Sequence, residues 1–404
     1  MKFEKLVAKN GVCTLKADGK FVYSKYKPIE DAMSFVMKEI KEDAEGYLLV
    51  GLGLGYHLLT LAKMAGEQKP IIVLCVDEQE IRLFEQSEVY NLLKDLPNIS
   101  IYYKTSQVRF QPTFQVIIPN VWMQLMDKKH PLYYFLYDIK MKQVSYKRFK
   151  HLMEENFNLN ISLNEFNLRL YKKNVSTEKK ACLVASGPSL NETKMWLKEV
   201  RNSLYIICVG SALKVLLAEG IKPDAVIVTD AQLSTVQQLN NVDYKGYLFY
   251  LSTASNENVK QYTGERCILL QEGYVPAEVL AEKYSYPLLE TGGSVATTAF
   301  SLLIYLGFYE IFLFGQDLGF TKEKTHAEYS TSGRNIEMRD DLIAIKSNSG
   351  ETINTLPNLY SYLNWFEKKI RNTNVIVFNT ALNGACIEGS KYLNDKEFQD
   401  YLEH

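Results

Sequence analysis

The chain has 404 residues, of which 47% are hydrophobic, and this length favours two domains over a single core. Its formal net charge of −1 excludes a general electrostatic attraction to nucleic acid or to an anionic membrane. No apolar run is long enough to span a bilayer, the first residues lack a signal-peptide pattern, and the six cysteines are scattered without a Cys-x-x-Cys pair. We therefore expect a cytoplasmic protein with free thiols and no zinc site.

The first half of the chain contains one clear βαβ unit. A buried strand at residues 47–50 leads into the glycine turn 51–55, a helix at 56–65 and a second strand that ends at Asp77. Three glycines in such a turn, with an acid after the next strand, suit a dinucleotide or S-adenosylmethionine. Glycines are also needed merely to close a βαβ unit, so cofactor binding stays open. We favour a scaffold or acceptor-docking role for this half.

A mostly helical connector is predicted at residues 132–173, and a second series of strands and helices follows it. Strands are predicted at 181–185, 205–209, 225–229, 246–251, 267–270, 310–314 and 375–378. Short glycine and proline turns separate them from helices. The pattern predicts an α/β protein with two Rossmann-like, doubly wound domains, residues 1–165 with the connector and residues 166–404 with C-terminal helical segments.

Unusual turns follow the strands of the second series. In an open α/β sheet, ligands bind at the carboxyl ends of the strands. The first three turns contribute Gly187, Pro188, Ser189, Gly210, Ser211, Thr229 and Asp230. A glycine permits close backbone approach, and the N-terminus of the helix after Ser189 favours an anion. These turns indicate a ligand site, although an ordinary turn with a helix cap explains any one of them.

The later turns of this half also lie at the carboxyl ends of the strands, which together form one edge of the predicted sheet. Gly292, Gly293 and Ser294 open a helix, where backbone N–H groups and a hydroxyl suit a phosphate. Gln316 and Asp317 follow the strand at 310–314, and His326 lies on the polar loop behind them. Asn379 and Thr380 end the last strand. Each turn alone is a weak signal, but together they predict one binding edge.

The order and spacing of these motifs over residues 180–390 resemble the motility-associated factor (Maf) glycosyltransferases. The core of that family is similar to bacterial sialyltransferases and to an archaeal 6-hydroxymethylpterin diphosphokinase. The resemblance implies a sialyltransferase-like nucleotide-sugar-binding core. It also implies transfer of a nonulosonic acid, of the pseudaminic or legionaminic type, from a CMP-activated donor to Ser or Thr of flagellin. The chain departs from the family at residues 382–384, where paired glycines are usual.

The resemblance also suggests roles for the residues at this edge. Those that would hold the donor nucleotide-sugar are Gly187, Pro188, Ser189, Gly210, Ser211, Thr229, Gly292, Gly293, Ser294, Asn379 and Thr380. Asp230, Gln316, Asp317 and His326 would face the sugar and the acceptor, with Asp230 or His326 as the base.

CMP carries one phosphate, which a helix N-terminus and hydroxyls can stabilise, so we expect neither a metal nor a tightly bound cofactor. Two alternatives remain. One is a pterin diphosphokinase that uses ATP and magnesium held by carboxylates such as Asp230 and Asp317, and the other is a non-catalytic nucleotide-binding protein.

Overall fold

The computed structural model describes residues 1–126, 130–320 and 342–403, and the chain divides into two compact units, Met1–Val144 and Ser145–His404. The division falls within the long helix Pro131–Ile161, in the region that the sequence predicts as a helical connector. None of the described helices combines the length and the apolar composition that a membrane-spanning helix needs.

The first unit contains seven strands among its described residues, in two sheets. The strands are β1 Phe3–Val7, β2 Cys13–Ala17, β3 Lys20–Phe21, β4 Tyr47–Val50, β5 Ile71–Leu74, β6 Ile99–Tyr102 and β7 Gln115–Ile117. Its helices are α1 Pro28–Glu39, α2 Tyr56–Ala65, α3 Gln79–Glu85, α4 Tyr90–Leu93 and α5 Asn120–Leu125, and α6 is the helix Pro131–Ile161 that continues into the second unit.

The larger sheet of the first unit is parallel, with the order β6-β5-β4-β7. All residues of β4 and β5 are buried, as expected for a parallel sheet that has helices on both faces. The other sheet is antiparallel and pairs β1, β2 and β3 in sequence order. The predicted βαβ unit is therefore present as β4, α2 and β5.

The second unit is built on one large sheet. Its strands are β8 Lys180–Val184, β9 Leu204–Val209, β10 Ala225–Val228, β11 Tyr247–Leu251, β12 Arg266–Gln271, β13 Leu288–Leu289, β14 Glu310–Phe314, β15 Ile343–Lys346, β16 Thr352–Thr355, β17 Ile376–Asn379 and β18 Ser390–Tyr392. Its further helices are α7 Leu168–Asn174, α8 Leu190–Glu199, α9 Gly210–Ala218, α10 Asn256–Lys260, α11 Val275–Tyr284, α12 Val295–Leu306, α13 Pro357–Arg371 and α14 Asp395–Glu403.

Nine of these strands form a parallel sheet with the order β13-β12-β11-β10-β9-β8-β14-β17-β18. The chain starts at β8, adds strands on one side as far as β13, and then crosses back through α12 to place β14 on the other side of β8. The remaining pair, β15 and β16, forms an antiparallel hairpin. The predicted α/β fold with two Rossmann-like units is confirmed.

Candidate functional site

The direction of strand addition reverses between β8 and β14. At such a switch point the turns after the two strands separate, and ligands of open α/β sheets bind in the resulting crevice. In this chain the turns after β8 and β14 are in contact at their bases: the Gly187 N–H donates a hydrogen bond to the Gly315 carbonyl oxygen at 2.8 Å. The first and the fifth turns of the predicted binding edge therefore lie together, although they are far apart in sequence.

Asp317 caps the helix that begins after Ser189. Its carboxylate accepts hydrogen bonds from the Ser189 N–H at 3.1 Å and from the Ser189 hydroxyl at 2.8 Å. The carboxylate is buried, and burial raises the pKa of Asp317 to about 6 while the Ser189 hydrogen bonds oppose that shift. A β-carbon on Gly187 would overlap this carboxylate. The anion position at the N-terminus of α8 is thus filled by a side chain of the protein itself.

Two buried hydroxyls join the neighbouring turns after β8 and β9. Ser186 Oγ and Ser211 Oγ lie 2.9 Å apart, and both side chains are buried. Gly210, the first residue of α9, packs against Gln238, whose amide oxygen a β-carbon would overlap. The predicted residues of this turn therefore meet the turn after β8, as the sheet order requires.

Asp230 follows β10, one strand beyond β9. Its side chain is exposed, and no described residue donates a hydrogen bond to its carboxylate. The surrounding protein nevertheless raises the pKa of Asp230 by desolvation. Thr229, directly before it, is half-buried. Asp230 is consequently a carboxylate that is available to a ligand, whereas Asp317 is not.

The turn at residues 292–294 is a helix cap with exposed backbone. The Ser294 hydroxyl accepts a hydrogen bond from the Thr297 N–H at 3.2 Å, and Thr297 Oγ1 accepts one from the Ser294 N–H at 3.1 Å, which forms a capping box. Gly292 lies beneath Trp365, and Gly293 is exposed with φ +90°. The cap explains the Ser294 hydroxyl, while the first N–H groups of α12 have no acceptor within the helix and favour an anion.

The last predicted residues serve the structure of the edge. Asn379 is fully buried and donates to the Ala385 carbonyl at 3.3 Å, and the Thr380 hydroxyl donates to the Leu313 carbonyl at 3.0 Å. The buried Gln316 is different, because its Oε1 has no hydrogen-bond partner among the described residues. Such a polar atom is expensive to leave unpaired, and ligand sites are one reason why it is retained. His326 lies outside the described residues.

The sheet order separates the two aspartates. β10 and β14 are three strand positions apart, so at about 4.8 Å per strand Asp230 and Asp317 lie roughly 14 Å from each other. A single magnesium ion needs its oxygen ligands within about 2.1 Å, so these two carboxylates cannot hold one ion together. This geometry weighs against the magnesium site expected for the kinase alternative.

A polar loop after β11 belongs to the same edge and is missed by the sequence-based prediction. Residues 252–256 are all buried, and the Ser252 hydroxyl donates to Gln271 Oε1 at 2.7 Å. The Ser255 N–H donates to the Asp230 carbonyl at 2.8 Å, which joins this loop to the turn after β10. The signal in the sequence is the run Ser-Thr-Ala-Ser-Asn directly behind a buried strand.

The glycine turn of the first unit holds a carboxylate of its own. Glu80 is fully buried, and its two oxygens accept hydrogen bonds from four backbone N–H groups, those of Leu52, Gly53, Val76 and Asp77, at 2.6 to 2.9 Å. Burial raises the pKa of Glu80 to about 7, and the four N–H groups oppose that shift.

Aromatic side chains cover the three glycines of this turn. β-Carbons on Gly51, Gly53 and Gly55 would overlap Trp122, Tyr23 and Phe84, respectively. The Tyr23 hydroxyl also donates to the Leu52 carbonyl at 3.2 Å and accepts from the Leu54 N–H at 3.0 Å. Because side chains fill the space over the turn, this geometry favours the scaffold interpretation over cofactor binding.

Comparisons with known proteins agree with the motif pattern. Residues 148–323 match the family model described as 6-hydroxymethylpterin diphosphokinase MptE-like. The fold is similar to that of the Maf glycosyltransferase from Magnetospirillum magneticum AMB-1, with 16% sequence identity, a TM-score of 0.52, and coverage of 98% of this chain and 70% of that chain. No curated protein sequence matches the chain significantly. Residues 148–323 thus form an MptE-like domain, and the chain has the fold of a Maf glycosyltransferase, as the order of its motifs predicts.

Proposed function

We propose that the chain is a cytoplasmic glycosyltransferase that transfers a nonulosonic acid from a CMP-activated donor to Ser or Thr of flagellin. The proposal is supported by the fold that the chain shares with a Maf glycosyltransferase and by the motif order in residues 180–390. The observation that carries it is Asp230, an accessible carboxylate to which no described residue donates a hydrogen bond, at the carboxyl ends of the strands.

In this proposal Asp230 acts as the base. The acceptor hydroxyl gives its proton to the carboxylate while its oxygen forms a bond to the anomeric carbon of the sugar, and the bond from that carbon to the phosphate oxygen breaks, so that CMP leaves. A raised pKa makes a carboxylate a better base near neutral pH. His326 remains a second candidate for this proton transfer from its position in the sequence.

The donor phosphate is assigned to the N-terminus of α12. Asp317 already neutralises the N-terminus of α8, so a phosphate there would first have to displace a carboxylate. At α12, Gly293 is exposed and the first backbone N–H groups lack helical acceptors. These groups would stabilise the negative charge that grows on departing CMP, and this chemistry needs no metal.

Thermal unfolding with a panel of nucleotides tests the proposal. We expect CMP to raise the melting temperature in the presence of EDTA, by a stabilisation of about 2.7 kcal/mol when its concentration is 100 times Kd. S-adenosylmethionine should have no effect. Incubation with CMP-pseudaminic or CMP-legionaminic acid and flagellin, followed by mass spectrometry, should then show the added sugar.

The same panel separates the alternatives. A rise in melting temperature that occurs only with ATP and magnesium would favour a diphosphokinase, the activity named in the description of the matching family model. Stabilisation by CMP without sugar transfer to any acceptor would favour a nucleotide-binding protein without catalysis. Either result would count against the transferase.

A further inference from the structure

Two buried asparagines of α6 project toward the loops that carry the edge of the second unit. Asn156 and Asn160 are four residues apart, so they lie on the same face of the helix. Asn156 is 6% exposed and Asn160 is fully buried. Buried amides are costly unless their hydrogen bonds are complete, so their partners show what the pair does.

Asn156 contacts two loops at once. Its Nδ2 donates to the Ala231 carbonyl at 3.0 Å and to the Thr253 carbonyl at 3.4 Å. Its Oδ1 accepts a hydrogen bond from the Asn256 N–H at 3.1 Å. One side chain therefore joins the turn after β10 to the loop after β11.

Asn160 binds the loop after β11 alone. Its Nδ2 donates to the Ser252 carbonyl at 3.0 Å and to the Ala254 carbonyl at 2.8 Å, and its Oδ1 accepts from Asn256 Nδ2 at 2.9 Å. Both N–H groups and the oxygen of each amide are in use. Because the two amides of Asn156 and Asn160 are themselves fully paired, a shift of either loop would leave one of their polar atoms unpaired, and this favours one loop geometry.

The residue whose backbone is fixed in this way is Asp230. Its carbonyl accepts from the Ser255 N–H at 2.8 Å, and the next carbonyl, that of Ala231, accepts from Asn156. No described residue donates a hydrogen bond to its carboxylate, so the position of the backbone is what limits the directions in which that carboxylate can point. We propose that Asn156 and Asn160 are positioning residues that aim the Asp230 carboxylate at the acceptor, an inference that rests on the proposed transferase function.

The test compares Asn156→Ala and Asn156→Asp with the matched control Asn167→Ala. The aspartate keeps the acceptor oxygen for the Asn256 N–H but replaces the donors to Ala231 and Thr253 by a charged oxygen that repels their carbonyls, whereas the alanine removes all of these contacts. Asn167 also donates to a main-chain carbonyl, that of Arg266 at 3.2 Å. Arg266 is the first residue of β12, so this contact lies at the amino-terminal ends of the strands, away from Asp230.

We expect kcat for sugar transfer to fall about 10- to 100-fold in both Asn156 variants, because misplacing a reacting group by an ångström has effects of this size. KM for the donor and Kd for CMP should change less than about threefold, since Asn156 hydrogen-bonds to Ala231, Thr253 and Asn256 and not to the turns at 187–189, 210–211 and 292–294. Asn167→Ala should transfer within about threefold of wild type. A kcat that is unchanged in the Asn156 variants, or reduced equally in the control, would overturn the positioning role.

Hydrogen exchange tests the same contacts without any assay of activity. Loss of Asn156 should speed exchange at the backbone N–H groups of Ser255 and Asn256 by about tenfold or more, with little change elsewhere in the sheet. Unchanged exchange there would show that the pair does not fix the loops. If wild type transfers no sugar, the proposed function fails and the positioning role fails with it, while faster exchange in the variants would still establish the clamp.

Discussion

Asp230 and Asp317 each follow a strand of the same sheet in the sequence, but their surroundings differ. Asp317 is buried and accepts three hydrogen bonds from Ser189 at the start of α8. Asp230 is exposed, has no such donor in the part of the chain that the structure describes, and has a raised pKa because the surrounding protein desolvates it. A raised pKa means that the stabilising contribution of Asp230 is present below its ordinary pKa and is lost as the pH rises through the folded-state value.

Alanine substitutions should separate the two aspartates. Asp230→Ala removes no hydrogen bond to the side chain, so we expect the free energy of unfolding to change by less than about 0.5 kcal/mol and sugar transfer to fall about 100-fold or more. Asp317→Ala removes a helix cap and leaves Ser189 donors unpaired, at a cost of about 2–3 kcal/mol. Urea unfolding at pH 7 and transfer assays measure both. Similar destabilisation by the two substitutions would mean that Asp230 is structural.

The sequence places Ser189, Asp230 and Asp317 at the edge because each follows an apolar run that predicts a strand. The contact between Ser189 and Asp317 could not be predicted, because it spans 128 residues and depends on the crossover that brings β14 beside β8. The asparagines of α6 were hidden for a similar reason. Their partners lie 75 to 100 residues further along the chain, and an asparagine on a polar helix has no pattern that distinguishes it from a solvated one.

At the scale of elements, the glycine turn after β4 shows that a motif typical of nucleotide-binding sites can be occupied by side chains of the same protein. The Glu80 carboxylate occupies the backbone N–H groups that would bind a phosphate in a dinucleotide site. Glu80 follows Asp77, the acid that the motif predicts for a ribose, by only three residues. Sequence spacing alone therefore could not distinguish a filled turn from an empty one.

Removing this carboxylate should expose the anion site. Glu80→Ala leaves four buried N–H groups without an acceptor, and we expect it to lower the free energy of unfolding of the first unit by at least about 3 kcal/mol. Acetate should restore part of the melting temperature in Glu80→Ala and have no such effect on wild type, because the wild-type turn is already occupied. Differential scanning fluorimetry with and without acetate measures this. A variant as stable as wild type would show that the four contacts contribute little.

Short elements were the hardest to predict. The apolar strand at residues 47–50 and the helix at 56–65 have in the structure the bounds that the sequence predicts. The edge strands β13 and β18 have two and three residues, which is too short for a recognisable period, and they form because their longer neighbours present unpaired backbone N–H and C=O groups. β13 nevertheless matters for the site, since it leads directly into the turn at residues 290–294.

The whole molecule combines two Rossmann-like units whose ligand-binding edges differ. In the first unit a carboxylate and three aromatic side chains fill the glycine turn. In the second unit the edge retains an accessible acid, an amide oxygen that is buried without a partner among the described residues, and the first N–H groups of α12, which lack acceptors within the helix. A nucleotide should therefore bind the second unit alone, although the first has the motif that more closely resembles a nucleotide fingerprint.

Hydrogen exchange with and without CMP tests this division over the full chain. With CMP at 100 times Kd, we expect backbone amides at residues 186–189, 210–212 and 293–296 to exchange about 10- to 100-fold more slowly, because opening these turns requires release of the ligand. Amides at residues 51–55 should be unchanged with CMP, with ATP and magnesium, and with S-adenosylmethionine. Slower exchange at 51–55 with any of these compounds would mean that Glu80 can be displaced and that the first unit binds a nucleotide. Slower exchange at 186–189 without any change at 293–296 would move the donor phosphate from α12 to α8 and would require Asp317 to leave Ser189.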